Sequence, residues 1–293
     1  MNANTWMRLA LCCLSGLPMI GCVVDGDSAS MAIIGNVVPK REGTTCAYKE
    51  AETYYQSGTL DLAVASEYVF APFVHNLLPP TQNINGNSQS NLRQETNIIS
   101  LEKAVFTFEP STSNSKTPFA ESGINTPPRL VREWEVPVQF TLQPGEKVVL
   151  PIDAIPRQVK SLTGSGYVQL GADWQARFGK FKDRYKYKLQ GVLHVQIVGE
   201  TAGGSEVAST KFSYPLTLCW GCLLFSTSLT PNGEEPEDQW RQCSNMNVPA
   251  DYEAPCSPGQ DDALICGLGC KICKQNESLN ISTCDPLFCP ASE

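Results

Sequence analysis

The chain has 293 residues, with 30 acidic against 22 basic side chains and a formal net charge of −8. Charged residues make up 18% of it, below the roughly 25% usual for soluble domains. That balance argues against nonspecific nucleic-acid binding across the surface, so no nucleic acid is expected as a partner. The length suffices for one large or two modest domains with a sizeable core.

At the amino end, Arg8 precedes an apolar run from Leu9 to Ile20. About a dozen residues is too short for a membrane-spanning helix, which takes roughly 20. It suits the apolar core of a secretory leader. The run ends in Met19-Ile20-Gly21-Cys22. This resembles the lipobox of bacterial lipoproteins, with Met19 where leucine is usual. The resemblance implies a leader over residues 1–21, a lipid (palmitate) on Cys22, and anchoring to the cell-envelope membrane. Val23 in place of aspartate at the next position favours the outer membrane. No second long apolar run follows, so no later segment is expected to span a membrane.

Residues 22–45 carry scattered Gly, Ser and Asp around one apolar patch, "MAIIGNVV". They read as a tether. From Cys46 to Leu218 only Cys46 is a cysteine, whereas nine fall between Cys219 and the end. That shift divides a body, residues 46–218, from a Cys-rich tail, residues 219–293.

Within the body several stretches alternate with period two, the mark of strands with one buried face. "SLEKAVFTFE" puts Ala104, Phe106 and Phe108 on one side. "EWEVPVQFTL" does the same with Trp134, Val136, Val138, Phe140 and Leu142. "YKYKLQGVLHVQIV" aligns Tyr185, Tyr187, Leu189, Leu193, Val195 and Ile197. "GETAGGSE" then turns the chain into a returning strand, "VASTKFSYPLTL". Val64–Val74 is a further strand candidate, demoted in part by Pro72. Trp174, Phe178, Phe181 and Tyr185 keep helical spacing and predict a short helix. The expected fold class is all-β: an antiparallel, immunoglobulin-like β-sandwich followed by a disulfide-rich, loop-dominated tail.

Of the 13 cysteines, Cys12 and Cys13 would leave with the leader and Cys22 would take the lipid. Ten remain: Cys46, Cys219, Cys222, Cys243, Cys256, Cys266, Cys270, Cys273, Cys284 and Cys289. An even number in an exported chain reads as up to five disulfides, of undetermined pairing. "CWGC" and "CGLGCKIC" also offer C-x-x-C spacing for a zinc site or a redox dithiol. Disulfide bonding is the stronger reading, because an oxidising compartment consumes thiolates and a short tail needs staples.

"KFKDRYKYK" sets Lys180, Lys182, Arg184, Lys186 and Lys188 on one face. Such a stripe could hold an anionic glycan, lipid headgroup or nucleic acid, but a solvated face or a guard against edge pairing is the stronger reading. The loops "PNGEEPED" and "GQDD" lack calcium-loop spacing and read as solvated. His194 alternates onto the polar face and reads as a surface residue, while His75 stands in no motif. Asn276 and Asn280 match a glycosylation pattern that carries no meaning beside a lipobox. No nucleophile elbow, zinc-protease helix, phosphate loop or dinucleotide fingerprint occurs.

The lipobox, the strand-rich "LEKAVFTF" body and the "CWGC"…"CGLGCKIC" tail are together similar to uncharacterised exported bacterial lipoproteins of the same layout. That resemblance implies location and fold type and carries no activity. The expected function is a membrane-anchored, non-enzymatic structural or binding module of the envelope, without cofactor or metal, whose partner is an envelope polymer or protein. The alternative is a thiol-redox or zinc protein using the tail cysteines.

Overall fold

The computed structural model describes residues 29–43, 45–50, 53–80, 95–111, 133–155, 159–161, 167–168, 171, 174–175, 178–179, 188–225, 248–250, 252–278 and 289. The leader, Cys22, Cys243, Cys284, the "PNGEEPED" loop and Lys180, Lys182, Arg184 and Lys186 lie outside the described residues, as do Phe181, Tyr185 and Tyr187.

Among the described residues the chain is mostly β-strand. Its first strands are β1 (Met31–Val37), β2 (Lys40–Glu42), β3 (Thr45–Ala47), β4 (Tyr54–Tyr55), β5 (Gly58–Asp61), β6 (Tyr68–Phe70) and β7 (Pro72–Asn76). Next come β8 (Ile99–Pro110), β9 (Glu133–Leu142), β10 (Lys147–Val149), β11 (Ile152–Ile155), β12 (Val159–Ser161) and β13 (Tyr167–Val168). The last are β14 (Lys188–Thr201), β15 (Glu206–Ala208), β16 (Phe212–Cys219), β17 (Leu224–Phe225) and β18 (Leu264–Ile265).

The large sheet runs β13-β12-β9-β8-β14-β16-β5, with β15 also paired to β14. A second sheet runs β10-β7-β1-β4. The expected alternation is present in the long central strands. Ala104, Phe106 and Phe108 of β8 are buried, as are Leu189, Leu193, Val195 and Ile197 of β14. Phe140 of β9 departs from it. A register shift between β8 and β9 precedes it, and it is left 37% exposed. The returning strand after the Thr201–Ser205 turn is broken into β15 and β16. Ser209 sits at the break, where its hydroxyl accepts from Ile197 N–H at 2.9 Å.

The two sheets share one core. Met31, Ile33 and Val74 from the second sheet join Phe106, Trp134 and Leu193 from the first. Residues 31–42, expected in a tether, form β1 and β2 instead, and Met31 and Val37 are fully buried. The patch "MAIIGNVV" is too apolar to leave in water and pairs with β7.

Among the described residues, two strand pairings depart from the antiparallel expectation: β16 with β5 and β17 with β18 are parallel. Trp174 and Phe178 lie in helical backbone and are buried, as their spacing predicts.

Past residue 218 the chain continues in the same core, to which Leu224, Leu264 and Cys266 belong. The tail is also less loop-dominated than expected, because Cys266–Ser278 is a 13-residue helix. Cys266, Cys270 and Cys273 fall at i, i+4 and i+7, so they line one face, and all three are buried.

All eight cysteines among the described residues are disulfide-bonded. Cys46–Cys256 spans 210 residues, Cys270–Cys289 spans 19 and Cys219–Cys222 spans 3. In the chain-entropy view the first stabilises by about 5 kcal/mol and the last by only about 2 kcal/mol. Cys46–Cys256 therefore acts as a staple. It ties the β2–β3 hairpin to the tail, where the Arg41 guanidinium also donates to the Ala254 carbonyl. The short bridge constrains little of the chain.

Candidate functional site

The short bridge sits beside a buried carboxylate. The parallel register aligns Gly58, Thr59, Leu60 and Asp61 with Leu216, Thr217, Leu218 and Cys219. Asp61 and Cys219 thus close two neighbouring strands at the same level. The chain then bends through Trp220 and Gly221 to Cys222. Gly221 has φ of 71°, a left-handed conformation that glycine adopts without a side-chain penalty. Cys219 is buried and Cys222 is partly exposed. A carboxylate oxygen of Asp61 and the two sulfurs all lie within 4.8 Å of one another. Joined as a disulfide, the sulfurs offer no thiolates, which the zinc alternative requires.

Asp61 is wholly buried. Its Oδ1 accepts from Gly221 N–H at 2.6 Å and Ala63 N–H at 3.0 Å, and its Oδ2 from Leu223 N–H at 2.9 Å. The carboxylate therefore holds the C-W-G-C bend in place. Burial nevertheless outweighs these bonds and raises its pKa from 3.8 to about 6.

A second carboxyl, Asp261, lies on the other flank of β5. The segment 259–261 runs along that edge. Asp61 N–H donates to Gly259 O at 2.8 Å, and Asp261 N–H donates to Thr59 O at 2.9 Å. Asp261 Oδ1 accepts from Thr59 N–H at 2.7 Å. The Gln260 amide imitates a strand, accepting from Val69 N–H at 2.8 Å and donating to Val69 O at 2.6 Å. This segment covers an edge strand that would otherwise offer free pairing groups.

Tyr68 Oη donates to Asp261 Oδ2 at 3.0 Å and stands 3.0 Å from Tyr214 Oη, which accepts from Asn36 Nδ2 at 3.0 Å. Burial raises both tyrosine pKa values above the usual range. It also raises Asp261 from 3.8 to about 6, against the Thr59, Tyr68 and Gln260 hydrogen bonds. The "GQDD" stretch, expected to be a solvated loop, is thus a built-in part of the core's polar network. Only Asp262 in it is exposed, while Gly259 and Gln260 are buried and Asp261 is largely so.

The two raised carboxyls make stability depend on pH. Between about pH 4 and 6 the folded chain retains protons that the unfolded chain has released, so stability falls as pH rises through that window and levels off above it. Asp261→Asn removes one of the two groups while tolerating the left-handed φ of 61° at that position. Urea midpoints across pH 4 to 7 should then decline less steeply in the variant than in the wild type. Parallel curves would contradict the burial argument.

Lys188 is the described member of the cationic stripe and is exposed on β14, opposite Cys219. His194 faces away from the apolar side as expected, but is mostly covered: its Nδ1 lies 3.0 Å from Ser213 Oγ and its Nε2 3.4 Å from a Glu109 carboxylate oxygen. His75 lies in β7 and is partly buried. Asp61 and Asp261 were not singled out by sequence reasoning. A faint signal for Asp61 exists, a lone carboxylate inside the apolar run "LDLAV". Comparison with protein families, with curated proteins and with solved structures finds no match to this chain.

Proposed function

We propose that this protein is an exported envelope lipoprotein, anchored through Cys22, whose strands stack as an immunoglobulin-like sandwich and serve as a non-enzymatic structural or binding module. The observation that supports the reading best is the oxidised state of every described cysteine, which fits a compartment outside the reducing cytosol. The strand-rich core with its covered edge suits a durable surface module. Its partner on this reading is an envelope polymer or protein, and the lipid holds it at the outer membrane.

The test is Cys22→Ala expressed in a bacterial host with the leader retained. The variant should leave the membrane fraction and appear as soluble, folded protein with its disulfides intact. Membrane retention equal to wild type in a carbonate wash would overturn the anchoring.

A further inference from the structure

We propose that Cys219–Cys222 is a redox-exchangeable disulfide that trades with the thiols of a partner, with Asp61 as the proton donor and acceptor for Cys219. The inference goes beyond the module reading and does not rest on the lipid anchor. Three features of the fold carry it. The bridge closes so short a loop that chain constraint gives it little structural purpose, whereas Cys46–Cys256 joins distant segments. Its two sulfurs are unequal, with Cys222 partly exposed and Cys219 buried. The parallel register sets a wholly buried carboxylate at the level of Cys219, within 4.8 Å of both sulfurs.

The exchange balances as follows. The thiolate of an incoming thiol attacks Cys222 Sγ, the S–S bond breaks, and its electron pair leaves on Cys219 Sγ. A buried thiolate is poorly solvated, and it takes the proton of the Asp61 carboxyl. The carboxylate left behind is held by the Ala63, Gly221 and Leu223 N–H groups and regains a proton from solvent. A second thiolate then attacks the partner's sulfur in the mixed disulfide and frees Cys222, which is protonated by solvent. Two thiols have become one disulfide, and the bridge has become two thiols. In reverse, Cys219 returns its proton to Asp61 and expels the partner from Cys222.

Asp61 titrates near 6, so both its protonated and ionised forms are accessible around neutral pH. Lys188 pairs with Cys219 across β14 and β16, and Asp261 lies on the segment along the far flank of β5, bonded to Thr59.

The test uses the full, native chain and dithiothreitol as the thiol. Graded dithiothreitol at pH 7 without denaturant, quenched with N-ethylmaleimide and mapped by mass spectrometry, should label Cys219 and Cys222 first. Cys46–Cys256 and Cys270–Cys289 should stay oxidised, with the circular dichroism unchanged. Labelling of all bridges together, or of this one only on unfolding, would overturn the exchange.

The proton role is read on the wild type by carboxyl carbon NMR of labelled aspartate. The Asp61 titration should move by about half a pH unit or more when the bridge is reduced, because the two groups then titrate as a pair. An unmoved titration would overturn it. In Asp61→Asn, if folded, reoxidation by a small disulfide should lose the inflection near pH 6 that the wild type shows. Retention of that inflection would also overturn it.

Discussion

Asp61→Ala should lower the unfolding free energy by about 3 to 5 kcal/mol at neutral pH. The variant leaves the N–H groups of Ala63, Gly221 and Leu223 without their acceptor. Each buried orphan costs roughly 1 to 3 kcal/mol. Relief of the buried charge offsets part of the sum, which is why it falls below three full penalties. Asp61→Asn should cost less. Its remaining oxygen can still accept from Ala63 and Gly221, while its amide nitrogen faces the Leu223 N–H. Urea denaturation at pH 7 under non-reducing conditions measures both. Amide exchange supplies the local reading, since Gly221 should lose protection first. A loss under about 1 kcal/mol for the alanine variant would mean that the carboxylate does not hold the bend.

Trp134→Ala is expected to be of similar size, about 3 to 5 kcal/mol. Trp134 is fully buried on β9, and its ring stacks on Phe106 of β8 at 5.8 Å between centroids. Its indole N–H donates to the Ala154 carbonyl of β11 at 2.8 Å, so one side chain ties the large sheet to β11, which pairs antiparallel with β6. Trp134→Phe separates the two contributions. It keeps most of the apolar volume but leaves the Ala154 carbonyl without its indole donor, for a loss of roughly 1 to 3 kcal/mol. Guanidinium melts followed by far-ultraviolet circular dichroism give both numbers. Equal losses in the two variants would place the energy in the hydrogen bond rather than in packing.

How much could be read beforehand follows from how local each signal is. The alternation of β8 and β14 lies in consecutive residues and is legible wherever one face is buried. The burial of Trp174 and Phe178 was equally visible from their spacing. The cysteines of "CGLGCKIC" were read by their C-x-x-C spacing, yet the same residues also spell the 4-and-3 interval of a helix face. Composition alone suggested a loop-dominated tail, and it hid the helix. The patch "MAIIGNVV" carried enough apolar surface to demand a partner strand, but Gly, Ser and Asp nearby made it resemble a tether. The site itself was out of reach. It needs residue 61 beside residue 219, and a parallel pairing between segments so far apart leaves no periodic trace in either. Asp261 failed for a related reason: an acidic loop looks solvated until the tyrosines that bury it are known.

The pairing of β5 with β16 also bears on how the molecule comes to be folded. Chains are made from the amino end, so Gly58–Asp61 is finished long before Phe212–Cys219 exists to lie against it. Until then the early strand has neither its parallel neighbour nor the Gly259–Asp261 segment on its other side. Contacts of such large sequence separation form slowly, because the loop must be closed before any of them is rewarded. The earlier-made strand thus waits on segments made much later, and a chain interrupted before residue 212 would be left with an open, adhesive strand rather than a smaller folded body.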